Sequence, residues 1–226
     1  MAARSVALVF DVNETLLDLR ALDDPFEEVF GDATVRREWF QQLLQSALVS
    51  TVTGDYADFG AIGRAALMMV AQRHGRELTE SERTLILGTV KRLPPHPEVR
   101  DALERLRDSG FRLATLTNST QPVVQAQLDH AGLSPLFERM LSADAARRLK
   151  PAPEAYHMAA RELGIEVGQL RLVAAHAWDI AGALRAGCRA AFVGRPGMVL
   201  DPLAPTPDVV GADLSEVASL LLQTDL

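Results

Sequence analysis

Four times in the second half of the chain a helical pattern closes on a glycine, and each time an apolar or β-branched run follows it. This rhythm restricts the fold more than any other feature. "PEVRDALERLRDSG" starts with Pro97 in its first turn, where a missing N–H costs nothing, and closes on Gly110, which suits a left-handed helix end. "FRLATLTNS" then reads as a buried strand entering a polar turn. "QPVVQAQLDHAG", "PEAYHMAARELG" and "IAGALRAG" close on Gly132, Gly164 and Gly187, leading to candidate strands at about 138–142, 170–174 and 189–193. Such alternation predicts a mostly parallel sheet with helices on both faces. "VALVF", apolar without alternation, adds a strand at about residues 5–10.

Residues 19–92 break the rhythm. "REWFQQLLQSAL" places Trp39, Phe40, Leu43, Leu44, Ala47 and Leu48 on one helical face, and "YADFGAIGRAALMMVAQRHG" does the same with Phe59, Ile62, Ala66, Met69 and Val70. A further helix is expected to start at the capping box Thr79-x-x-Glu82. The Pro-rich "LPPHPEV" marks the return to βα alternation. The expected architecture is therefore α/β: a Rossmann-like parallel-sheet core of residues 1–18 and 93–226, with a helical cap subdomain, 19–92, inserted after the first strand.

Composition bounds the partners. The 226 residues, 48% of them apolar, can fill a substantial core. With 30 acids against 23 basic residues, a net charge of −7 and no basic block, neither nucleic acid nor an anionic membrane is an expected partner, and a small molecule is. A single Cys188 forms no internal disulfide, and the sequence shows neither a signal-peptide pattern nor an apolar run long enough to span a bilayer, so the expected location is the cytoplasm.

In an open parallel sheet the reactive groups gather beyond the carboxyl ends of the strands. Four stretches are expected to meet there: Asp11 with Asn13 and Thr15 in "LVFDVNETLLD", Thr117-Asn118-Ser119, Lys150, and Asp179 in "VAAHAWDIAG". Together they offer a nucleophile, orienting donors, a charge partner and a second acid/base group. Singly, each has a plainer reading. Asp11, Asn118, Ser119 and Asp179 could all be caps, and Lys150 a solvated side chain.

Their order along the chain resembles the haloacid dehalogenase superfamily, over essentially the whole length. The motifs are Asp11-x-Asn13-x-Thr15, Thr117 ending the second strand, Lys150-Pro151 and Asp179. Within the superfamily, "LKPAPEAY", "TLTNST" and "AHAWDIAGA" look like the L-2-haloacid dehalogenase branch, although Thr117 replaces a serine, and Ala174 and His176 replace a hydroxyl residue and an amide. The alternative, a magnesium-dependent phosphatase of the same superfamily, fits less well. Asn13 stands where the phosphatases carry a proton-transferring Asp, and the fourth motif keeps one carboxylate of the usual acidic pair.

The resemblance implies that no metal or cofactor is used, that the substrate is a small 2-haloacid, and that the protein forms a homodimer. Asp11 would displace halide to give an ester, whose hydrolysis yields the 2-hydroxy acid. It further implies that Lys150 keeps Asp11 ionised, that Asp179 orients or deprotonates the hydrolytic water, and that Thr15, Thr117 and Tyr156 supply hydrogen bonds. Arg37, with Arg36 in reserve, Asn118 and Phe59 would shape the carboxylate and halide site, with Asn13, Ser119 and Trp178 around it. His176 reads either as a cap or surface residue, or as a group assisting the water step near neutral pH.

Overall fold

The computed structural model describes residues 7–224. Among these, six parallel strands, β1 (Ala7–Phe10), β2 (Arg112–Thr117), β3 (Arg139–Ser142), β4 (Leu170–Ala174), β5 (Arg189–Val193) and β6 (Val209–Gly211), form one sheet in the order β3-β2-β1-β4-β5-β6. The chain winds outward from β1 on one side and then, through β4, on the other. The crevice of a doubly wound sheet opens where that order reverses, at the carboxyl ends of β1 and β4. Phe10 sits there between Thr115 and Val173. Five strands lie within a residue or two of their expected positions, although residues 5 and 6 fall outside the described part. The sixth was not anticipated, because "VVG" is too short to carry a pattern.

The lack of alternation in β1 has a simple cause: both faces are covered. Leu8 and Phe10 join a core with α5 (Val99–Asp108), α6 (Gln121–His130) and α9 (Leu214–Thr224). Ala7 and Val9 pack on the opposite face with α7 (Pro153–Leu163) and α8 (Ala177–Arg185).

Between β1 and α5 lie α1 (Asp23–Phe30), α2 (Val35–Thr53), α3 (Phe59–Arg73) and α4 (Glu80–Thr89). The capping box forms as its sequence implies, with Glu82 N donating to Thr79 Oγ1 at 3.2 Å and Thr79 N donating to the Glu82 carboxylate at 2.7 Å. α2 and α3 pack along each other, and Trp39 Nε1 on α2 donates to Gly63 O on α3 at 2.9 Å. Phe26, Trp39 and Leu67 of this helical insertion share one continuous core with Leu8, Phe10 and Val173 of the sheet. Leu48 and Met69, expected on the buried faces, are instead 40% and 42% exposed, together with Val49 and Val52 on α2 and Met68 on α3. The apolar stripes of both helices are wider than the sides that meet the core.

Gly182 fixes how closely α8 approaches the segment after β3. A Cβ there would lie 2.5 Å from Pro151 Cβ and 2.6 Å from the Oη of Tyr156, which is fully buried. Gly182→Ala is therefore expected to cost about 1–3 kcal/mol of stability through overpacking, read as a lowered urea midpoint with an unchanged denaturant slope.

Candidate active site

Asp11 extends β1 by one residue, its N–H donating to Val173 O at 3.0 Å. The chain then turns back on itself, Leu16 N and Leu17 N both donating to Val12 O, with Val12, Leu16 and Leu17 fully buried as anchors. The turn brings Thr15 Oγ1 to Asp11 Oδ2 at 2.7 Å, while Ala175 N donates to the same hydroxyl at 3.0 Å. Arg195 clamps the turn from outside, donating to Thr15 O at 2.8 and 3.2 Å. It belongs to no motif, so the sequence did not mark it.

Lys150, fully buried, is held by its own backbone: its N–H donates to Asn118 Oδ1 at 2.8 Å and Asn118 Nδ2 donates to its carbonyl at 3.2 Å. The ammonium donates to Asp11 Oδ1 at 2.9 Å, Leu116 O at 2.8 Å and Asp179 Oδ2 at 2.5 Å. Its three protons thus have three acceptors. Tyr156 Oη donates to the other Asp179 oxygen at 2.6 Å. Burial alone would raise the Asp11 carboxyl, but the charge and hydrogen bond of Lys150 and the adjacent His176 outweigh it and hold the group far below the ordinary range. Burial raises Asp179, and the Asp11 charge adds to this against the pull of Lys150. The two carboxylates are therefore driven apart, Asp11 the more acidic and Asp179 the more basic.

His176 is neither a surface residue nor a side-chain cap. It is buried, its Nε2 lies 2.9 Å from Glu14 Oε2, and its Nδ1 lies 3.4 Å from Asp11 Oδ2 without hydrogen-bond alignment. Burial works against its charge, but the neighbouring Asp11 carboxylate and the hydrogen-bonded Glu14 prevail and lift its pKa from 6.5 to about 9. An imidazolium at neutral pH is a donor and not a base, so the assistance to a water step expected of His176 would take a form other than proton acceptance. Glu14 escaped the sequence reading. It reaches the histidine from a left-handed backbone, φ 62°, a conformation unusual for a residue with a side chain, and the sequence pattern does not reveal it.

The pocket over Asp11, about 10 Å³, is lined by Asn13, Phe40, Leu44, Phe59, Thr117, Asn118, Lys150, His176 and Trp178. Trp178 stacks on His176 at 5.2 Å between centroids, and its ring lies 5.9 Å from Lys150 Nζ. Asn13 donates to Ser119 Oγ at 3.3 Å and accepts from Gln127 Nε2 at 3.0 Å, so both predicted residues are tied into the wall. Tyr156, Asp179 and Thr15 stand behind the wall, against Lys150 and Asp11, and do not line the pocket.

The structure does not bring Arg37 to this site. It is exposed, because one residue along α2 is a rotation of about 100° away from the inward face. Arg36 is the buried one, its Nε 2.5 Å from Asp23 Oδ1 and its Nη1 4.0 Å from Glu14 Oε1. The same face carries Phe40 and Leu44 into the pocket one and two turns later. Both had been read as helix core, which they also resemble.

A family model described as haloacid dehalogenase-like hydrolase matches residues 6–187. The chain belongs to that family. Among relatives, this haloacid dehalogenase-like hydrolase is 30% identical to (S)-2-haloacid dehalogenase 2 of Pseudomonas sp. (strain CBS-3), over 95% of this chain and 94% of that one. It is 30% identical to haloacetate dehalogenase H-2 of Moraxella sp. (strain B), over 95% and 97%. Its fold superposes with a TM-score of 0.91 on the L-2-haloacid dehalogenase of Xanthobacter autotrophicus with chloropropionic acid covalently bound, at 26% identity, covering 97% of this chain and 99% of that one.

Two predictions follow from the buried charges. Lys150→Met leaves two adjacent carboxylates without their cation and is expected to cost about 3–5 kcal/mol at neutral pH. The deficit shrinks as pH falls, because an unpaired buried carboxylate binds a proton more readily folded than unfolded. Urea unfolding at several pH values checks both. For the Glu14–His176 pair, the folded pKa lies above the free value, so its stabilisation is complete below 6.5 and lost as pH rises through about 9. Glu14→Gln should shrink that alkaline loss and shift it to lower pH, with Asp11 keeping part of it, and thermal unfolding across the window reads it.

Proposed function

We propose that the protein hydrolyses the carbon–halogen bond of small 2-haloacids, with Asp11 as the nucleophile. The observation that carries this reading is the Lys150 ammonium lodged between Asp11 and Asp179 at 2.9 and 2.5 Å. It keeps one carboxylate ionised in a buried pocket, as a nucleophile requires. Asn13 in place of a second proton-transferring acid points the same way, away from the phosphatase alternative. The similarity to named haloacid dehalogenases over nearly the whole chain adds to it.

In the first step an Asp11 oxygen attacks the carbon bearing the halogen, forming a C–O bond as the halide leaves with the bonding electrons. Thr15, on Oδ2, fixes the rotation of the carboxylate. His176 receives negative charge. Lys150 has no proton to spare and Arg36 is tied to Asp23, whereas His176 Nδ1 is a buried donor without a hydrogen-bond partner, facing Asp11. Glu14 is its positioning residue. In the second step water adds to the Asp11 carboxyl carbon and the ester opens to the 2-hydroxy acid. Lys150 passes a proton to Asp179, the more basic carboxylate, as it takes one from the water; the relay reverses to protonate the departing alkoxide, and the Asp11 carboxyl, left as the acid, gives up the net proton of the reaction to solvent. Phe40, Leu44, Phe59 and Trp178 wall the pocket, and Thr117 and Asn118 hold its floor. Exclusion of bulk water by these walls strengthens each charge interaction.

The reading extends to a homodimer, supported by the exposed Leu48, Val49, Val52, Met68 and Met69 on α2 and α3, and to a cytoplasmic location, with which the lack of any described helix long and apolar enough to cross a membrane is compatible.

Halide release from 2-chloropropionate with EDTA present tests the reaction. Wild type should release halide, and Asp11→Asn should be slower by more than about 10⁴-fold; halide formed equally by both would overturn the reading. With kcat/KM followed against pH, wild type should lose activity as pH rises through about 9, Glu14→Gln should move that limb toward 6.5, and His176→Gln should abolish it. Unchanged limbs in both variants would remove His176 from the mechanism.

A further inference from the structure

The pocket over Asp11, at about 10 Å³, has room for little more than a water. Beside it lies a far larger cavity of about 430 Å³, inside the ~300–1,000 Å³ range of small-molecule sites. Asn13, Phe40 and Phe59 line both, so the larger space adjoins the smaller at these three side chains. It runs between α2, α3 and α4 and the start of α6. Its inner surface is apolar, built from Leu22, Trp39, Leu43, Leu87, Val90 and Leu93. The polar groups nearest the shared wall, Asn13 and Ser119, already bond each other, and Asn13 also bonds Gln127. Polar side chains otherwise stand toward its edge, among them the exposed Arg64 and Lys91 and the paired Glu80 and Arg83.

We infer that this cavity is a tail site, and that the substrate class is 2-haloacids carrying an unbranched alkyl chain of medium length. The inference rests on the dehalogenase reading of Asp11. The reacting carbon lies against Asp11 and His176, and because the pocket there holds little more than a water, the rest of the substrate extends past Phe40 and Phe59 into the larger space. There it finds no buried donor to leave unpaired and gains from each methylene removed from water. Every added methylene is expected to raise kcat/KM about fourfold until the chain reaches the edge.

Gly88 offers a clean way to close the site. It lines the large cavity on α4 but not the pocket over Asp11, and a Cβ built there meets nothing within 4 Å. Gly88→Phe, with Gly88→Leu as the smaller filling, should therefore fold and occupy the cavity. Halide release is measured from 2-bromopropanoate, 2-bromobutanoate, 2-bromohexanoate and 2-bromodecanoate. Wild-type kcat/KM should climb along the series, and both variants should keep the 2-bromopropanoate rate while losing the climb. A flat or falling wild-type series, or variants that slow short and long substrates alike, would overturn the tail site. Calorimetric titration with decanoate, which carries no halogen, separates this inference from the reaction itself. Decanoate binding to wild type that the variants lose supports the cavity even if no bromoacid reacts. Absent or unaltered binding overturns it.

Discussion

A lysine side chain with no solvent exposure organises this protein's chemistry. Burying an ammonium is costly unless its charge is neutralised and its protons are accepted, and Lys150 meets both conditions through Asp11, Asp179 and Leu116 O. Those acceptors come from the ends of β1 and β2 and the start of α8, so the lysine is satisfied only when three separate elements are in place. The Asn118 amide, bonding the Lys150 backbone in both directions, sets where the side chain begins. Correct docking of the elements and correct ionisation of Asp11 are thus one requirement.

The second charged pair divides the work around Asp11. Lys150 approaches Oδ1 and His176 approaches Oδ2, but their own partners differ: the lysine leans on Asp179 deep in the core, the histidine on Glu14 in the turn. In the proposed reaction Asp11 loses its charge on esterification, and each cation would retain one anionic partner. Neither buried cation is then stranded, which lets the intermediate form without a large electrostatic penalty. Glu14 earns its unusual backbone conformation in this way, since a glycine there would leave the imidazolium without a counter-charge.

Most of the core was legible because βα alternation leaves strong marks: a glycine at each helix end and unbroken apolar runs for strands covered on both faces. Asp11, Lys150 and Asp179 were legible from their order at strand ends, and the structure brings them into mutual contact. What failed to show were properties of direction. Arg36 and Arg37 are neighbours in sequence but face opposite environments, and an insertion helix of shifted register gives no way to choose between them. Glu14 needed a positive φ that composition does not announce. Phe40 and Leu44 look like core because a pocket wall and a core have the same chemistry. The exposed Leu48 and Met69 show the converse, apolar residues whose face is turned outward.

The division between sheet and insertion also separates two kinds of change. All the groups that fix charge at Asp11 come from loops after strands, while α2, α3 and α4 contribute walls, Phe40, Leu44 and Phe59 to the small pocket and Leu43, Leu87 and Gly88 to the large one. Substitutions in the helices alter volume and shape with the charge pattern intact, because Lys150, although it lines the pocket, is held from behind by Asp179, which Tyr156 bonds in turn. Arg36 is the exception, a helix residue whose Asp23 and Glu14 contacts join the insertion to the catalytic turn. One buried guanidinium thus faces both Asp23, at 2.5 Å, and Glu14, at 4.0 Å, so α2 and the turn that carries Glu14 meet at a shared charge.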